Sequence, residues 1–122
     1  MFYKSIILFI SILFIVTTQN SEERRIISQA HTALYQLFES NKDFIPQNIQ
    51  ILDILFNKNY AILSVNLSNE ATTYGGSYFE YRFINNILYK LRQISEISYL
   101  NILIEGKLVP FPEGHIIFWH KL

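Results

Sequence analysis

The chain has no cysteine in its 122 residues, only four glycines and three prolines, and no net charge, with ten basic residues balanced by ten acidic ones. Each shortage excludes something. Without cysteine there is no disulfide framework, no thiolate nucleophile and no thiol for lipid attachment. Balanced charge spread along the chain gives no electrostatic footprint for nucleic acid or anionic lipid, so nucleic acid is not an expected partner.

Histidine is scarce too. The three present, His31, His115 and His120, show no i, i+4 pair and no H-x-E spacing, so neither a zinc site nor any other metal centre is expected. His31 sits between apolar positions and reads as a half-buried packing residue. His115 follows Gly114 in a turn and reads as bonded to backbone, with a ligand contact as the sharper option. The carboxylates Asp53, Glu70, Glu80, Glu105 and Glu113 fall on different predicted elements, and nothing in the spacing pairs two of them for acid–base work. There is no G-x-S-x-G elbow and no phosphate-binding G-x-x-x-x-G-K-[ST] loop. The expectation is a protein that is not an enzyme and carries no cofactor. A hydrolase would need a second carboxylate brought into one cleft with Glu113 and His115.

What is abundant is apolar, and it begins at once. Lys4 is followed by an apolar run from Ser5 to Val16, and the chain turns polar at Thr17. A short basic start followed by an apolar stretch reads as a signal peptide or a membrane anchor over residues 1–18. The junction offers Val16, Thr17 and Thr18 rather than an A-x-A cleavage site, which tilts the reading towards an uncleaved anchor. Either way the remainder is expected outside the cytoplasm, in the periplasm or on the outer face of the cytoplasmic membrane. Roughly 100 residues then remain, enough for one domain, taken as 21–122.

Along that domain the apolar period changes from 3.6 to 2 and back. Ile26, Ile27, Ala30, Leu34, Leu37 and Phe38 recur at helical spacing behind a cap at Asn20 or Ser21. Ile45 before Pro46 ends that pattern. Two strand-like runs follow, 49–56 and 60–67, joined by Asn57, Lys58 and Asn59, whose asparagines tolerate left-handed backbone; Ala61, Leu63, Val65 and Leu67 are the expected core face. Ser77 and Glu80 have the spacing of a capping box opening a second helix, whose stripe is Phe79, Phe83, Ile87, Leu88, Leu91 and Ile94. Leu100, Ile102 and Ile104 alternate into a third strand, Lys107 to Val109 reads as a short fourth, and Ile116 to Trp119 as a possible last one. The predicted class is α+β: a sheet of three to five strands with two helices on one face, in the order α-β-β-α-β-β, after an N-terminal hydrophobic helix. Tyr74, Tyr78, Phe118 and Trp119 are candidates for an aromatic patch facing a partner or a sugar.

The ordered string of features resembles the GerMN domain family of bacterial sporulation, germination and cell-envelope proteins. The resemblance runs from about Ile26 to Ile116. It rests on Ile45 and Pro46 before the hairpin, Leu63 to Glu70 (LSVNLSNE), Tyr74 to Ser77 (YGGS), Leu100 to Gly106 (LNILIEG), and Gly114, His115 and Ile116. It implies a fold similar to ring-building motifs, residence outside the cytoplasm and no catalysis. It also implies that Gly75, Gly76, Gly106 and Gly114 are turn formers. From the residues themselves, Tyr74, His115 and Trp119 are possible partner contacts. GerMN domains usually carry a further strand before the first helix, and here the hydrophobic segment stands in its place. A sheet lacking that strand would expose an edge, which invites strand addition from an envelope complex or from copies of the same chain. The function expected is therefore an interaction or assembly module, with cell-wall fragment binding as the alternative.

Overall fold

The fold is described from a computed structural model of the protein. Backbone assignments run from Phe2 and side chains are described from Ser21 to Leu122, so the signal or anchor expected over 1–18 lies outside the fully described residues. The elements are α1 (Phe2–Ser40), β1 (Ile51–Asn57), β2 (Ile62–Leu67), a 3-10 turn (Asn69–Thr72), α2 (Ser77–Leu91), β3 (Tyr99–Ile104) and β4 (His120–Lys121). They build an α+β domain with one four-stranded sheet in the order β1-β2-β3-β4. Among the described residues no helix is long and apolar enough to cross a membrane.

The alternation read from the sequence decides which side of the sheet is covered. Leu63, Val65 and Leu67 of β2 and Leu100, Ile102 and Ile104 of β3 are buried and join one cluster with Ile26, Ala30 and Leu34 of α1 and Phe83, Ile87 and Leu91 of α2. Both helices thus supply their apolar stripes to the same core. Each large side chain withdrawn from water there contributes about 1.5–3 kcal/mol. β1 and β2 form the expected antiparallel hairpin, whereas β2 and β3 run parallel, Ile62 opposite Tyr99 through Leu67 opposite Ile104. A parallel neighbour needs a crossover, and α2 provides it.

Several local expectations are corrected. The hairpin turn uses Asn57 through its side chain: Oδ1 accepts from the amides of Asn59 and Tyr60 at 3.0 and 3.2 Å. The left-handed residue is Ala61, at φ 55°, and not an asparagine. Lys107 makes only an isolated bridge to Ile104 and does not open a strand. The fourth strand lies instead at His120–Lys121, because Pro110 and Pro112 delay the chain's return to the sheet. Between them, the Ile117 carbonyl accepts from Ile102 at 2.8 Å, so 116–119 follows β3 without becoming a regular strand. His31 is exposed; its neighbours Ala30 and Leu34 take the buried face of α1.

Candidate functional site

At one end of the sheet a buried carboxylate organises a loop. Glu80 lies in the first turn of α2 with only 2% of its surface exposed. Its Oε2 accepts from the Glu113 amide at 2.8 Å and its Oε1 from the His115 amide at 3.1 Å. His115 Nδ1 stands 2.7 Å from the same Oε1, and since an ionised carboxylate only accepts, the ring proton belongs on Nδ1. The capping box expected from Ser77 and Glu80 is therefore not formed. The cap is Gly76 at φ 110°, without a side-chain cap bond, which puts Glu80 one position too far along for the reciprocal bond and frees it to reach the loop. Gly114 closes that loop at φ 93°, its amide donating to the Phe111 carbonyl at 2.8 Å.

The pairing of Glu80 with His115 brings a carboxylate to a histidine, as a hydrolase would require, yet Glu113 offers the site only its amide and its side chain is exposed. Three clefts on the described surface are lined by none of these groups. No cluster of three metal-ligating side chains occurs among the described residues. The geometry holds a loop, with each carboxylate oxygen already accepting.

Beside this clamp runs a string of buried and half-buried rings. Phe79 stacks on Phe83 at 5.5 Å and 11°, Phe44 and Tyr74 flank Phe79 at 5.2 and 6.0 Å, and Phe111 meets Phe83 edge-on at 6.5 Å. Tyr74 is half-buried and its hydroxyl donates to Asn48 Oδ1 at 2.7 Å. It is a packing residue here. Gly75, unlike Gly76, Gly106 and Gly114, does not take positive φ.

The opposite end of the sheet carries a partly exposed aromatic cluster. Trp119 is flanked by Tyr60 at 5.9 Å and 63° and by Tyr99 at 5.9 Å and 55°. Tyr60 is 61% and Trp119 48% exposed. Trp119 takes left-handed backbone, φ 52°, and its amide donates to Asn101 Oδ1 at 2.7 Å, while the Asn101 amide group donates to Ser64 Oγ at 3.2 Å. The single patch expected from Tyr74, Tyr78, Phe118 and Trp119 does not form. Tyr74 sits past the far end of β2 and Tyr78 is exposed on α2, whereas Trp119 meets the residues where β2 and β3 begin. Sequence reasoning missed Tyr60 and Tyr99 as its companions; the parallel register that aligns the starts of β2 and β3 was the information lacking.

A third feature is the free side of β1. Among the described residues, 51–57 make no backbone hydrogen bond beyond the ladder with β2. Leu52 and Leu55 are exposed on this strand, Leu55 at 60%. Two adjoining clefts of about 500 and 440 Å³ separate β1 from α1 and share His31 and Ile51 in their walls.

Comparison with known proteins places this geometry. The chain resembles a protein of Clostridium perfringens provisionally classed as a lipoprotein, with 20% identity, a TM-score of 0.61, and 70% of this chain and 60% of that one covered. It also resembles the first GerMN domain of the sporulation protein GerM from Bacillus subtilis, with 20% identity and a TM-score of 0.52, covering 65% of this chain and 58% of that one. Against the tandem GerMN domains of the same protein, identity is 21% and TM-score 0.52, and the chain spans 27% of their length. The match thus spans less than two thirds of each of these relatives, and at such identities the likeness establishes the fold. No curated protein sequence matches the chain. The family model described as "Germane: Sporulation and spore germination" matches residues 13–110, most of the chain. The chain therefore belongs to the Germane family of sporulation and spore-germination domains, whose fold is the GerMN domain.

Proposed function

We propose that this domain is a noncatalytic assembly module on the outer face of the cytoplasmic membrane, serving an envelope complex of the sporulation or germination kind and docking by strand addition at β1. The observation that carries the reading is the free side of β1, whose backbone donors and acceptors find no partner outside the hairpin among the described residues. An edge left unprotected is a template for another strand. The clefts between β1 and α1 would receive side chains of the added strand that point inward. The absence of catalysis in this reading is supported by Glu80, whose two oxygens are occupied by the loop they hold. Residence outside the cytoplasm is supported by the apolar run Ser5 to Val16 behind Lys4, and the GerM likeness is consistent with it.

Light scattering coupled to size exclusion, together with hydrogen exchange, tests the docking edge. Association with itself or with a co-purified envelope protein should slow exchange in residues 51–57, and Leu55→Lys should weaken it by placing a charge on the edge strand. A chain that stays monomeric from micromolar to millimolar concentration, recovers no partner, and already protects every strand alone would overturn the reading.

A further inference from the structure

The aromatic cluster is costly in a way the fold does not require. Left-handed backbone is unfavourable at a residue with a Cβ, and two of the three non-glycine residues that adopt it among the described residues, Ala61 and Trp119, build this one corner. Strain gathered around exposed side chains points to use. Ile62 reinforces the impression. It is 7% exposed yet belongs to none of the main core, because it faces the other side of the sheet from Leu63. The corner therefore has a buried residue of its own, paired in register with the half-buried Tyr99, while Tyr60 and Trp119 remain in water.

The position of this corner relative to the N-terminus names its partner. Glu22, in the first described turn of α1, pairs with Lys58 in the β1–β2 turn at 2.9 Å, two residues from Tyr60. Arg25 pairs with Glu96 at 2.9 Å, in the loop that leads into β3 and Tyr99. The Ala61 carbonyl accepts from Ser98 and Tyr99, and Leu122 donates to the Ser98 carbonyl, which closes the same end. The side chains described from Ser21 thus begin at the same end of the sheet as Tyr60, Tyr99 and Trp119, and the apolar run Ser5 to Val16 precedes that point by a few residues. Lys121 lies opposite Tyr99 in the β3–β4 register and shares its face, exposed, with Phe118 also exposed nearby.

We infer that this corner is the domain's seat on a lipid bilayer. Tryptophan and tyrosine favour the headgroup level, where the ring is dehydrated and the N–H or O–H stays wet. A neighbouring lysine suits the phosphates there. The seat holds the domain upright, turns the β1 edge sideways along the membrane and leaves the Glu80 end furthest from it. The inference rests on the reading of residues 1–18 as a membrane segment, and it adds a second, independent contact to that one.

Trp119 is the only tryptophan in the chain, so its fluorescence reports on this corner alone. The full chain is reconstituted with vesicles of phosphatidylcholine and phosphatidylglycerol and floated on a density gradient. Lipids brominated high in the acyl chain are then compared with aqueous iodide as quenchers. The seat predicts co-flotation, emission shifted to shorter wavelength, most of the intensity lost to bromolipid, and little lost to iodide. Co-flotation with Trp119 fully open to iodide and untouched by bromolipid would overturn the seat while leaving the membrane segment standing. Failure to float overturns the membrane reading and the seat with it. Soluble peptidoglycan fragments that shift Trp119 emission, where bromolipid does not, would make the corner a glycan surface and reject the bilayer.

Discussion

The two ends of the sheet are held together by opposite means. At the end where α2 begins, one carboxylate with almost no access to solvent accepts bonds from two amides and one imidazole, and buried and half-buried rings pack on one another beside it. At the end where β2 and β3 begin, a tryptophan in strained backbone is propped between two tyrosines, and it and Tyr60 stay exposed. The first arrangement spends its polar capacity on the fold and keeps none for a ligand. The second spends folding energy to display a surface. Burial of a polar group is thus a poor guide to function in this domain, and display of an apolar one a better guide.

Breaking the clamp should have the larger effect. Glu80→Ala removes the acceptor for the Glu113 and His115 amides and strands them at the margin of the core, at a cost of about 2–3 kcal/mol for charge-assisted bonds. Urea denaturation should show a lower midpoint with an unchanged slope, and hydrogen exchange should quicken first in 111–117. Loss of stability without faster exchange in that loop would mean that Glu80 acts through helix packing instead. At the other end, Asn101→Ala should cost about 1–1.5 kcal/mol, since the Trp119 amide and the Ser64 hydroxyl each lose one neutral partner. Its signature is different: Trp119 should turn more mobile, read as a fall in fluorescence anisotropy, while the 111–117 loop is undisturbed.

This contrast also separates what the sequence displays from what it hides. The helical and strand stripes were legible because burial repeats with the element's own period: Ile26, Ala30 and Leu34 on α1, Leu63, Val65 and Leu67 on β2, and Phe83, Ile87 and Leu91 on α2 all reach the core. The membership of the family was legible from the order of its short motifs. Glu80 was visible as a residue and misread as a cap, since a local motif explained it before its partners, 33 and 35 residues away, could be seen. Trp119 was visible too, but Tyr60 and Tyr99 reach it through the parallel pairing of β2 with β3, a long-range register that periodicity does not encode. The final strand was misplaced because His120–Lys121 is two residues long and carries no alternation.

The smallest effect bears on how α1 is fixed at the aromatic end. The Arg25 guanidinium, hydrogen-bonded to the Glu96 carboxylate, holds that carboxyl below its ordinary value of 4.5, with help from a backbone amide and Ser95. A carboxyl lowered on folding stabilises the native state above the unfolded value, and that contribution fades as pH falls through the folded one. The pair is half in water, so its stabilisation is slight and screened by salt. Arg25→Ala should therefore raise the Glu96 carboxyl towards 4.5 in an NMR titration while leaving the neutral-pH melting curve almost unmoved. If the substitution instead destabilised the fold strongly at neutral pH, the pair would be a principal tie between α1 and the start of β3. The aromatic end would then depend on a charge as heavily as the Glu80 end does, and the distinction between the two would be one of position only.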